Sequence, residues 1–191
     1  MPPARRLYSR WVAYGDRRGW LASSFKSRYL QLLKGTGSEL IERVAEGLAE
    51  RISPEARAAI AALRAKGHRL IVVSCGTADL SERILSASGL RQCFEAVLGN
   101  RFVFTRGAIA GMDMDVPTAK AKLEAIRSAG LVRESTVAVG DGPTDIPLLR
   151  WAGIPVVIAP KGPRAARWAP KSCSIIASLS QLPDILERHG G

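Results

Sequence analysis

From Gly67 onward the chain alternates short runs of branched apolar residues with amphipathic stretches that close on a glycine, and no other feature restricts the fold as much. Residues 69–73, 136–139 and 155–158 read as buried strands, and 174–176 as a last short one. Residues 78–88, 118–129, 145–151 and 179–188 read as helices, with Gly89 and Gly130 closing the first two. Residues 102–112 read as a hairpin that turns at Arg106-Gly107. Strands alternating with helices imply βαβ units, hence an α/β fold with a Rossmannoid parallel sheet flanked by helices. Sheets of that kind put ligands at the carboxyl ends of their strands. The segments after Val73, Val139 and Ile158 are therefore the ones to search.

Before residue 67 the pattern is helical throughout. Leu40, Ile41, Val44 and Leu48 recur at helical spacing. Ser53-Pro54-Glu55 is a helix start, with Ser as cap and Pro in the first turn, and Gly67 ends that helix. The expected organisation is a helical segment with a connecting helix over residues 1–66, followed by an α/β core over 67–191. A chain of 191 residues holds one core of ordinary size with room for a small accessory part.

Lys and Arg number 28 against 17 Asp and Glu, a net charge of +11. That surplus suits nucleic acid, an anionic membrane face or a phosphorylated small molecule, without choosing among them. Arg5, Arg6, Arg10, Arg17, Arg18, Lys26 and Arg28 make the start basic, with Asp16 the one acid among them. A transit peptide reads this way, but a solvated helical face is the plainer reading, since Trp11, Trp20, Phe25, Tyr29 and Leu30 resemble packing residues. No apolar run reaches the ~20 residues of a membrane span. Cys75, Cys93 and Cys173 are odd in number, widely spaced and without a CxxC, which points away from disulfides and zinc and toward a reducing cytoplasm.

Three segments carry chemistry. Ser74-Cys75-Gly76-Thr77 follows the first strand run. A hydroxyl and the free amides of a helix start can cradle an oxyanion, although Ser74 as a simple cap is the blander reading. Gly140-Asp141-Gly142-Pro143-Thr144-Asp145 follows Val137-Ala138-Val139. Two carboxylates four apart in a glycine-rich turn at a strand end suit Mg²⁺, which takes one or two carboxylates plus phosphate oxygens. Lys120 and Lys122 open a helix, where the dipole disfavours cations. A lysine reaching toward a phosphate explains that, and a solvated lysine is the alternative. Cys75 fits no CxxxxxR loop, because position 81 is Ser81, and His68 and His189 form no nucleophile pair with a Ser or Cys.

A hydroxyl residue after one strand, then a lysine, then GDGxxD after a later strand resembles motifs two to four of the haloacid dehalogenase superfamily, in its phosphoserine-phosphatase-like branch. The resemblance covers roughly residues 53–177, through Gly67–Ser74, Lys120–Leu123 and Val137–Leu148. It implies a Mg²⁺-dependent phosphatase working through an aspartyl phosphate on a small phosphorylated metabolite. Under it, Ser74 with Cys75 and Gly76 holds the phosphoryl group, and Lys120, rather than Lys122, neutralises its charge. Asp141 becomes a metal ligand, and Asp145 a ligand or the residue that orients the bound water.

The superfamily's first motif, DxDxT, carries the nucleophile at the end of a strand in mid-sheet. Residues 1–34 contain no apolar run leading into DxD, and Asp113-Met114-Asp115 follows a hairpin and reads as a loop. The expectation is a chain lacking its first core strand and inactive alone. The strand could be encoded upstream of Met1, supplied by a second polypeptide, or lost from a relative that only binds phosphate; the first explanation is preferred. The rival functions are a non-catalytic phosphate- or partner-binding protein and, ranked last, a nucleic-acid binder, for which no recognised motif is present.

Overall fold

The computed structural model describes residues 25–162 and 167–189. Three helices come first: α1 (Phe25–Leu33), α2 (Ser38–Ala49) and α3 (Pro54–Ala65). Ser53 caps α3 as its sequence predicts, its hydroxyl accepting from the Ala56 amide at 3.2 Å. The helical spacing of Leu40, Ile41, Val44 and Leu48 is that of α2. Ile41, Ala45 and Ala49 face inward, whereas Leu40 and Val44 are 46% and 43% exposed. Small alanines let α2 lie close against the helix that follows the first strand, so the inward stripe runs through them.

The α/β part follows in the order β1 (Ile71–Thr77), α4 (Ala78–Ala87), β2 (Ala96–Thr105), β3 (Ala108–Asp113), α5 (Ala119–Ser128) and β4 (Val137–Gly140). Then come α6 (Ile146–Trp151), β5 (Ile154–Ile158), β6 (Ser174–Ile176) and α7 (Leu182–Arg188). Arg106 and Gly107 both take positive φ, 51° and 77°, which turns β2 tightly into β3. Strand β1 differs from expectation. It starts at Ile71 and runs on through Thr77, with a register break between Val73 and Thr77. Ser74, Cys75 and Gly76 therefore sit in the irregular end of the strand rather than in a loop beyond it.

The strands form two sheets among the described residues. One is β1-β2-β3, with β1 parallel and β3 antiparallel to β2; the other is β4-β5-β6, all parallel. Ile126, Leu148 and Leu149 of α5 and α6 pack one side of the core. Leu63, Leu182 and Ile185 of α3 and α7 pack another against Val156 and Ile176. Val156 and Val157 of β5 are fully buried, as a parallel strand covered on both faces should be.

Strands β1 and β4 are not. Ile71, Val72, Val73, Val137 and Val139 read as the most buried runs in the sequence, yet all are only half-buried. They line a cleft of about 590 Å³ between the two sheets, closed by Leu63, Ile126, Leu148 and Leu182, with Asp145 in its wall. Each of β1 and β4 pairs on one side only among the described residues. Among the described residues, β1 and β4 thus face each other across a cleft between two strand edges.

Candidate active site

The turn after β4 is built around Asp145. Its Oδ2 accepts hydrogen bonds from the amides of Asp141 (3.0 Å) and Gly142 (3.1 Å), folding the turn back onto the strand end. That approach is possible because residue 140 is glycine. A Cβ there would stand 2.5 Å from Asp145 Cβ and 2.8 Å from Oδ2. The other oxygen, Oδ1, accepts from Lys122 Nζ at 2.5 Å. Both side chains are under 10% exposed, at 8% for Lys122 and 9% for Asp145.

The lysine is the main correction to the sequence reading. Lys120 is 85% exposed and pairs loosely with Glu124 one turn along, at 3.7 Å. Two residues further on, the helix has turned by more than half a circle, so Lys122 points inward where Lys120 points out. Lys122 is the lysine at this site.

Asp145 is expected as a metal ligand or as the residue that orients the bound water, and its surroundings show what its oxygens meet. Both its oxygens are committed, one to an ammonium and the other to two amides. The exposed carboxylate in the turn is that of Asp141. A hard cation held by few protein carboxylates fits Asp141, with Asp145 fixing the turn that presents it. No cluster of three His, Cys, Asp or Glu occurs among the described residues, so Asp141 would need further oxygens from a phosphate and an incoming carboxylate.

At the end of β1, Ser74 is half-buried and its hydroxyl accepts from the Gly76 amide at 3.0 Å. Cys75 is a half-buried free thiol, and Gly76 is exposed. Thr77 caps α4, and its Oγ1 is buried without a hydrogen-bond partner among the described residues. A buried hydroxyl of this kind normally has a partner. Two neighbours escaped the sequence reading. Asp79 Oδ2 accepts from the Phe102 amide at 2.8 Å, tying α4 to β2. Asn100 lies buried behind the Ser74 turn; an asparagine inside an apolar strand was the signal available for it.

Asp113 ends β3, and Met114 and Asp115 follow in an exposed loop, in keeping with the loop reading. Arg5, Arg6, Arg10, Arg17 and Arg18 lie outside the described residues, as does Asp16. No helix among the described residues is long and apolar enough to cross a membrane.

The fold has counterparts among solved structures. A substrate-bound phosphoserine phosphatase complex superposes with a TM-score of 0.70 at 25% identity, over 94% of this chain and 83% of that one. A phospho-aspartyl intermediate analogue of phosphoserine phosphatase gives 0.66 at 28%, with the same coverage. In sequence, the phosphoserine phosphatase of Halobacterium salinarum is 29% identical over 174 residues, covering 88% of this chain and 78% of its own. That of Archaeoglobus fulgidus is 29% identical over 134 residues, 69% of this chain but 38% of its own length. The family model for haloacid dehalogenase-like hydrolases matches residues 2–150, which include Ser74, Lys122, Asp141 and Asp145. The chain belongs to the haloacid dehalogenase-like hydrolase family and is similar, within it, to the phosphoserine phosphatases.

Proposed function

We propose that the protein is a Mg²⁺-dependent phosphomonoester hydrolase of the cytoplasm, acting on a small phosphorylated metabolite of the phosphoserine kind. Its attacking carboxylate would enter on a strand that fills the cleft between β1 and β4. The observation that carries this reading is the buried Lys122–Asp145 pair, whose aspartate follows β4 and stands in the wall of that cleft. A buried ion pair repays its desolvation only when further hydrogen bonds take up the ammonium's other protons. Phosphoryl oxygens and an aspartate would accept them.

Lys122 would neutralise the attacking carboxylate and the phosphoryl oxygens, while Asp145 holds its ammonium in place. Ser74 and the amides at the start of α4 would take the remaining oxygens. Asp141 would hold Mg²⁺, whose chemistry here is neutralisation of phosphate charge. The carboxylate attacks phosphorus, the P–O ester bond breaks, and the leaving alkoxide takes a proton from solvent water, which the later hydrolysis returns. Water then hydrolyses the acyl phosphate and regenerates the carboxylate. Positioning and charge neutralisation dominate such transfers, and those are the properties this site has.

The cleft also favours a second reading, a phosphate-binding protein without turnover, because the one described aspartate that lines it, Asp145, is already paired with Lys122. Phosphate release from phosphoserine and related monoesters separates the two. Mg²⁺-dependent release that falls at least 100-fold in Asp141→Asn supports the hydrolase. Binding of inorganic phosphate with no release from any monoester supports the second reading.

A further inference from the structure

Asn100 is 1% exposed, deeper than any residue of the proposed site. Its side-chain nitrogen donates to the carbonyls of Cys75 (2.8 Å) and Gly76 (3.0 Å). Its side-chain oxygen accepts from the Val116 amide at 2.9 Å. Those two carbonyls fall within the register break of β1, between Val73 and Thr77, where the ladder to β2 is interrupted. Pairing resumes at Thr77 opposite Asn100 itself. Asn100 thus satisfies the carbonyls that the irregular strand end leaves without ladder partners.

The consequence is directional. In a planar trans peptide the carbonyl and the next amide point in opposite directions. Holding the carbonyls of Cys75 and Gly76 down onto Asn100 therefore turns the amides of Gly76 and Thr77 to the opposite side. That is the side of the Ser74 hydroxyl, since the Gly76 amide donates to it. Two successive amides aimed the same way form an anion-binding concavity. Gly99 supports the arrangement: a Cβ there would stand 3.0 Å from the Ala78 nitrogen and 3.2 Å from the Ser74 carbonyl, so β2 passes directly behind the turn. On its other side Asn100 holds Val116, two residues before Thr118, the cap of α5 whose hydroxyl accepts from the Ala121 amide. Helix α5 carries Lys122.

We propose that Asn100 is a positioning residue. It aims the amides of residues 76 and 77 and fixes that turn relative to the segment leading to Lys122, so that the anion cradle and the lysine are set by one buried amide. The value of this arrangement to phosphate rests on the function proposed above; the clamp itself does not.

The test is Asn100→Asp in the full chain, which keeps size and the acceptor for Val116 but replaces the donor with an oxygen facing two carbonyls. Asn100→Ser, which leaves the carbonyls to water, serves if the Asp variant does not fold. Ile109→Val, in a fully buried position of β3, provides a control of comparable instability. Amide hydrogen exchange and inorganic phosphate binding are read in all of them. The expected result is exchange at least tenfold faster at Gly76, Thr77 and Val116 together, with phosphate affinity at least tenfold weaker, and neither change in Ile109→Val. Exchange at those three amides no faster than in the control overturns the clamp. Faster exchange in a protein that binds no phosphate even as wild type upholds the clamp and overturns the function it serves.

Discussion

Lys122 Nζ lies 2.5 Å from Asp145 Oδ1, across 23 residues of sequence, with both side chains all but sealed from solvent. The pair joins the first turn of α5 to the turn after β4. Of two neighbouring lysines, Lys122 reaches this turn and Lys120 stays exposed.

Removing one partner of such a pair leaves an uncompensated buried charge. Lys122→Met is expected to destabilise the fold by about 3–5 kcal/mol. Lys120→Met, at an exposed i,i+4 pair, is expected to change stability hardly at all. Urea unfolding of the two variants, at equal m-value, checks the contrast.

Gly140→Ala puts a methyl group where Asp145 Cβ already stands. The turn cannot keep both its amide bonds and its place on the strand end. A loss of about 1–3 kcal/mol, the usual range for overpacking, is expected. Magnesium binding should weaken along with it, measured by calorimetry on the folded variant.

Arg57 holds three segments through one guanidinium. It donates to the carbonyls of Ala49 (2.7 Å), which ends α2, of Ile52 (3.1 Å) in the turn before α3, and of Ser88, which follows α4. Arg57→Ala strands those acceptors and should cost about 2–3 kcal/mol. Arg57→Lys should recover only part of it, because an ammonium lacks the planar fork. Thermal unfolding of the two variants gives the order.

The Arg69–Glu95 fork, at 2.7 and 2.8 Å, ties the start of β1 to the start of β2. The hydrogen bonds from Arg69 hold the Glu95 carboxyl below its ordinary range. A lowered folded-state pKa gives stability that is present above the unfolded value and lost as pH falls through the folded one. The melting difference between wild type and Arg69→Ala should therefore be small at neutral pH and vanish below about pH 4. A difference that grows on acidification contradicts the sign.

The sequence made much of this legible, for identifiable reasons. Periodicity and glycine punctuation located β4, β5, β6 and the β2–β3 hairpin, because those elements have local signals. Asp141 and Asp145 were visible as carboxylates in a glycine-rich turn. Their division of labour was not, since it depends on which oxygens meet amides and an ammonium from other elements. Lys120 and Lys122 could not be told apart by type, only by the phase of a helix whose packing face lies in tertiary contacts. Leu40 and Val44 share a helical spacing with Ile41 but stay exposed, because alanines, which carry little hydrophobic signal, hold the other inward positions. Asn100 and Arg57 act on carbonyls distant in sequence, and nothing local records that.

The central claim is that the attacking carboxylate arrives on a strand filling the cleft between β1 and β4. It is tested most directly by trapping the intermediate. The protein from its natural source is mixed with phosphoserine and Mg²⁺, quenched in acid, and the phosphorylated peptide sequenced. The account predicts an acyl phosphate on an aspartate outside residues 25–189. A phosphoryl group on any residue within them, or turnover with no trapped phosphate at all, contradicts it.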